Sequence, residues 1–168
     1  MKLYIKQKVF SWGDKFRVYD ENGNDRYAVK GEVFTFGKKL HLYDPGENEL
    51  AFIHQKVFSF LPKYYISRNG QMTAEVVKEF TFFKPEYSVN YLGWHVSGSF
   101  TEHDYSISDN NGKNVACVTK KWFSWGDTYE IDIAYGYDEI NVLCVVLIID
   151  AALAAQSSAA AGAAGSGS

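Results

Sequence analysis

A chain of 168 residues with a net charge of -3 and a pI near 5.8 is long enough for one domain with a sizeable core, and it gives no whole-chain sign of nucleic-acid binding. Aromatic residues make up 17% of the chain, which argues for a packed interior and against disorder. The two cysteines, Cys117 and Cys144, are far apart and in no Cys-x-x-Cys pattern, so the sequence points to a reducing compartment and no structural zinc.

Met1-Lys2-Leu3-Tyr4 opens straight into an alternating segment with no charged and apolar leader, and this predicts a cytoplasmic protein. The phrase Phe-Ser-Trp-Gly-Asp then occurs at Phe10 to Asp14 and again at Phe123 to Asp127. Four weaker copies lie between, starting at Val33, Val57, Glu79 and Ser99. Aligned on a key phenylalanine, the copies read Phe10, Phe34, Phe58, Phe80, Phe100 and Phe123. About six positions later comes a large apolar residue, then an aliphatic two residues on. These pairs are Phe16 and Val18, Leu40 and Leu42, Tyr64 and Ile66, Tyr87 and Val89, Tyr105 and Ile107, Tyr129 and Ile131. Mostly polar residues sit between the members of each pair, as in a strand with one buried face. Each unit therefore reads as strand, tight turn, strand, with the key phenylalanine assigned to the core. Gly13, Gly37, Pro62, Pro85 and Gly126 mark the turns within units. Asp20-Glu21-Asn22-Gly23, Asp44-Pro45-Gly46, Asn69-Gly70 and Asn110-Asn111-Gly112 mark the links between them. Six hairpins give about twelve antiparallel strands, and closing them into a barrel removes the bare edges.

From Ile140 to Ile149 the chain is apolar apart from Asn141, with no period of two. Asp138 offers an N-cap, and the alanines after Asp150 favour helix, although the β-branched residues also admit a strand. An all-round apolar helix has to be buried, and a twelve-stranded barrel is too wide for its own side chains to fill. The reading is a helix plugging the barrel. A membrane span is the rival, and the run falls short of the ~20 apolar residues it needs. Residues 1–155 form the domain; 156–168 read as a flexible Ala/Ser/Gly tail.

The opening MKLYIKQKVFSWGDKFRVYDENG, the later WFSWGDTYEIDIAYGYDE and the apolar C-terminal segment resemble the LURP-one-related proteins of the tubby-like superfamily, which also holds the phospholipid scramblases. The resemblance covers about residues 1–155. It implies a twelve-stranded barrel around a central C-terminal helix, a mainly β, tubby-like fold. Tubby proteins bind phosphoinositides through basic side chains, but no motif here matches that lipid site residue by residue.

Catalytic and cofactor motifs are missing from the sequence. His41, His54, His95 and His103 make no metal-spaced pair, and His103 beside Asp104 reads as a solvated turn. There is no G-x-S-x-G elbow and no phosphate loop. Asp20 to Asp25 superficially suggests a calcium loop but lacks its glycine and its bidentate Glu. The sequence thus assigns no catalytic residue, no metal site and no cofactor.

Lysines carry more information. Lys15, Lys39 and Lys63 fall at one repeat position, with Lys38 and Lys84 beside it; Lys8, Lys56, Lys78 and Lys121 recur two residues before the key phenylalanine. An up-and-down barrel puts all intra-unit turns at one end, so these side chains should gather at one rim, opposed by Asp14, Glu32, Glu79 and Glu86. The other rim is acidic, with Asp20, Glu21, Asp25, Asp44, Glu47, Glu49, Asp138 and Glu139 against Arg26, Arg68 and Lys113. Copies five and six reverse the sign of the basic rim. With Trp12, Phe36, Phe60, Phe82 and Phe83 nearby, that rim suits an anionic membrane surface, a phosphoinositide-like headgroup or another phosphorylated ligand. The site residues expected for it are Lys15, Lys38, Lys39, Lys63 and Lys84. Lysines that merely keep strand ends soluble are the plain alternative. The sequence therefore predicts a non-catalytic binding module, peripheral to a membrane. The alternatives are a structural or protein-interaction barrel with no small ligand, and an enzyme with a substrate at the barrel mouth. Nucleic acid is not an expected partner.

Overall fold

The computed structural model describes residues 1–6, 15–32, 36–82, 84–123 and 126–164, the side chains of 122, 123, 126, 127 and 158–164 aside. The first Phe-Ser-Trp-Gly-Asp phrase, Lys8, Phe34 and Phe83 lie outside the described residues. Twelve strands follow in chain order: β1 (Lys2–Lys6), β2 (Lys15–Tyr19), β3 (Asp25–Gly31), β4 (Lys39–Tyr43), β5 (Glu49–Gln55), β6 (Lys63–Arg68), β7 (Gln71–Lys78), β8 (Glu86–Asn90), β9 (Trp94–Ser99), β10 (Asp104–Asp109), β11 (Asn114–Phe123) and β12 (Gly126–Ile133). Each pairs antiparallel with its chain neighbours, and β1 closes on β12, so the sheet is a barrel without edges. Every apolar pair read from the repeat faces inward and is buried, from Phe16 and Val18 to Tyr129 and Ile131. Period-two alternation does this because successive side chains leave the sheet on opposite faces.

The turns between strands alternate between the two ends. One rim carries the segments after β1, β3, β5, β7, β9 and β11; the other carries those after β2, β4, β6, β8 and β10. At the second rim the acidic residues serve the backbone. Asp20 accepts N–H groups from Asn22 and Asn24 at 2.9 and 2.8 Å, Asp44 accepts from Asn48 at 2.9 Å, and Asp109 accepts from Asn111 and Lys113 at 2.9 and 3.0 Å. The loop that mimicked a calcium site is one of these side-chain-capped turns.

A single helix, α1 (Glu139–Ala164), starts at the second rim. The Asp138 carboxylate caps it by accepting the Asn141 N–H at 2.9 Å. Arg68 holds Asp138 at 2.9 Å and Arg26 holds Glu139 at 2.7 Å, which ties the helix entrance to β6 and β3. Every side chain from Val142 to Ile149 is fully buried, so the helix runs through the barrel as its core. By length and composition Glu139–Ser157 would also cross a bilayer, but 72% of that window is buried inside the barrel.

Two expectations need correction. The helix does not stop near Ala155; residues 156–164, read as tail, continue it, in keeping with alanine's helix propensity. The key phenylalanines are not uniformly core residues. Phe100 is buried, but Phe58 and Phe80 are exposed because they sit in the turns themselves, beyond the end of the packed interior.

Candidate functional site

The first rim is where the lysines were expected to gather. Closing a barrel requires strands to tilt and pairing to stagger. Here the ladder steps from Lys15 to Lys30, His41, Phe52 and Ser67, from one end of the barrel almost to the other. Lys15 consequently lies against the turn after β4, 3.9 Å from Glu47, and does not join the rim cluster. Lys39 is bonded to Glu32 at 3.0 Å and Lys63 to Glu75 at 3.0 Å. The three lysines that recur in register thus each face a carboxylate on a neighbouring segment, Lys15 only at the outer limit of ion-pair distance. Lys38 donates its backbone N–H to the Gln55 side chain at 3.2 Å, and burial lowers the pKa of its ammonium.

Three other lysines keep their charge available. Lys56, Lys78 and Lys84 make no ion pair among the described residues. They flank the turns after β5 and β7. Glu79 and Glu86 share that neighbourhood, so the local excess of positive charge is modest.

The same turns carry the aromatics expected at this rim, joined by Phe58 and Phe80, which the repeat pattern had assigned to the core. Phe36, Phe58, Phe60, Phe80 and Phe82 are between 68% and 101% exposed. They come from three consecutive turns of one rim, after β3, β5 and β7. Phe80 and Phe82 meet edge to face with ring centroids 5.5 Å apart, yet neither is covered by the rest of the chain. Beside them an open groove of about 560 Å³ runs between Lys84, Pro85, Phe100, Leu153 and Gln156. Since Leu153 and Gln156 belong to α1, the helix emerges from the barrel at this rim.

Just inside the mouth lies a polar cluster that sequence reading missed. Asp150 on the helix accepts a hydrogen bond from the Tyr129 hydroxyl. His103, in the turn after β9, places Nε2 3.2 Å from the other Asp150 oxygen and stacks on Tyr129 with centroids 4.5 Å apart. Burial, with the Asp150 charge second, holds the Tyr129 and Tyr105 hydroxyls well above their usual pKa. The partner of His103 is therefore Asp150, distant in sequence, and not the adjacent Asp104. The cluster joins the helix to the barrel wall.

The outer wall shows a second arrangement beyond sequence reading. Tyr43, His41, Phe52, His54 and Tyr65 form a row across β4, β5 and β6, with ring centroids 4.7 to 6.2 Å apart. His41 faces Phe52 and His54 faces Tyr65 across the strands, pairs of the kind that strengthen a sheet. Both nitrogens of His41 meet carboxylates, Glu49 at 2.7 Å and Glu32 at 2.9 Å. Among the described residues no group of three or more His, Cys, Asp or Glu side chains is placed to hold a metal ion. Burial pushes the Cys144 thiol up to about 12, which removes it as a nucleophile at neutral pH.

Comparison with known proteins agrees with this architecture. The profile of the LURP-one-related family matches residues 1–150. The uncharacterized protein YxjI of Bacillus subtilis (strain 168) is 36% identical over 154 residues, spanning 91% of this chain and 94% of its own. The X-ray structure of a protein from Arabidopsis thaliana superposes with a TM-score of 0.65 over 89% of this chain and 88% of its own, at 19% identity. That last likeness concerns the fold alone.

Proposed function

The chain belongs to the LURP-one-related family, and we propose that it is a non-catalytic barrel that binds anionic phosphate-bearing groups, above all lipid headgroups, at its first rim. The observation that carries this reading is the division among the lysines. Lys15, Lys39 and Lys63 have carboxylate partners, whereas Lys56, Lys78 and Lys84 flank neighbouring turns of one rim and make no direct ion pair among the described residues, Lys56 acting on Glu75 only at longer range. Charges left without partners at a rim attract phosphates at about 1 kcal/mol each near a bilayer. Lys38 lies half-buried on the neighbouring turn; the paired lysines contribute less, since each already faces a carboxylate.

Vesicle co-sedimentation tests the proposal. Phosphatidylserine-containing vesicles should retain the protein at low salt and release it at about 1 M salt, where the screening length is about 3 Å. Changing Lys56, Lys78 and Lys84 together to Ala should weaken retention about a hundredfold. Changing Lys15, Lys39 and Lys63 to Ala should weaken it far less. Equal losses from the two triple variants, or retention indifferent to salt, would reject the charge reading.

A further inference from the structure

The lysines alone do not account for the five exposed phenylalanines. We propose that the turns after β3, β5 and β7 are membrane-penetrating tips, whose phenylalanine rings enter the apolar zone beneath the headgroups that the lysines contact. The proposal rests on the charge reading for its choice of bilayer, and adds a mode of binding to it.

Isolated exposed apolar residues are ordinary, but contiguous ones mark an interaction surface. Here Phe36, Phe58, Phe60, Phe80 and Phe82 are gathered on one rim, each 68% exposed or more. The opposite rim exposes no phenylalanine among the described residues; its exposed large hydrophobics are Met1 and Met72, each about half exposed, and Tyr91 and Tyr135, whose rings carry hydroxyls.

The shape of the patch selects the partner. Phe36 stands on one turn, Phe58 and Phe60 on a second and Phe80 and Phe82 on a third, and none of the five lines the groove beside Lys84. Lys56, Lys78 and Lys84 alternate with them along the chain, an order that matches anionic headgroups above an apolar layer. The last apolar turn of α1 inside the barrel, from Ala151 to Leu153, reaches the same rim. A bilayer is the partner that accepts several separate apolar tips and a basic fringe at once.

Lipid-monolayer insertion tests the proposal, read beside vesicle retention. Wild-type protein injected beneath a phosphatidylserine-containing monolayer should raise the surface pressure. The variant Phe58→Ser, Phe60→Ser, Phe80→Ser, Phe82→Ser should not, and its vesicle retention should fall at least about a hundredfold. Its thermal midpoint should match the wild type, since the four side chains are exposed. Salt-sensitive retention without a pressure rise overturns penetration and leaves the charge reading standing. A pressure rise on neutral phosphatidylcholine, lost with the serines and indifferent to the lysine changes, upholds penetration and removes the charge reading. A wild-type dimer in solution that the serine changes dissociate would assign the patch to a second copy and overturn the proposal. Absence of retention on either vesicle also overturns it, and calorimetry with inositol hexakisphosphate then judges the charge reading separately.

Discussion

Asp150 interrupts an apolar helix at the level where that helix leaves the barrel. A carboxylate there is tolerable because Tyr129 donates to it and His103 lies alongside. Removing a hydrogen-bond donor from a buried charged group leaves that group to bear its desolvation, which costs about 2–3 kcal/mol. Tyr129→Phe should therefore lower unfolding stability by about that amount in a urea titration. A loss under about 0.5 kcal/mol would mean that Asp150 does not depend on the tyrosine. The lysines teach the same lesson from the surface. Lys63 and Lys84 look alike in the repeat, and their difference lies in what the neighbouring strand offers. Glu75 meets Lys63 at 3.0 Å, and nothing comparable meets Lys84 among the described residues.

At the level of elements, the strands carry charge pairs whose protonation sets the response to acid. His54 in β5 has its pKa lowered from 6.5, first by burial and then by the Lys39 charge. Because the unfolded chain takes up that proton more readily, its contribution to stability is full above pH 6.5 and is lost as the pH falls from there towards the lower folded value. Glu32 is held below the usual carboxylate range by His41 and then Lys39, Glu75 by the Asn90 amide and then Lys63, and Asp109 by the Tyr137 hydroxyl and then the Lys113 N–H. Their contributions are full above about pH 4 and are lost as the pH falls further, through the depressed folded values. The thermal midpoint should thus decline in two stages on acidification, and His54→Gln should remove the first. A midpoint that rises between about pH 7 and pH 5 would contradict this assignment.

Strand positions were legible in the sequence because the inward pairs repeat with period two, and each pair from Phe16 and Val18 onward is buried. The helix was legible because a run apolar on all sides has no stable place except inside. Three things were not legible. The stagger that carries Lys15 towards Glu47 depends on barrel closure, a property no local window contains. His103 and Asp150 meet across 47 positions of chain, so adjacency pointed to Asp104 instead. The key phenylalanines share a repeat position, yet Phe100 turns inward while Phe58 and Phe80 turn outward, because each turn has its own backbone path.

Taken as a whole, the barrel has two unlike ends. One is a set of turns closed by Asp and Asn side chains, with two arginines fixing the entrance of the helix. The other presents exposed phenylalanines, three lysines with no ion pair among the described residues and the emerging helix. The barrel has no open edge and its interior is filled by the helix, so the binding proposed above is placed at a rim. The measurement closest to that claim is amide hydrogen exchange with and without phosphatidylserine-containing vesicles. Protection should appear at residues 56–62 and 78–85 and leave 20–24, 44–48 and 109–113 unchanged. Protection at the second rim, or no change at either, would contradict the account.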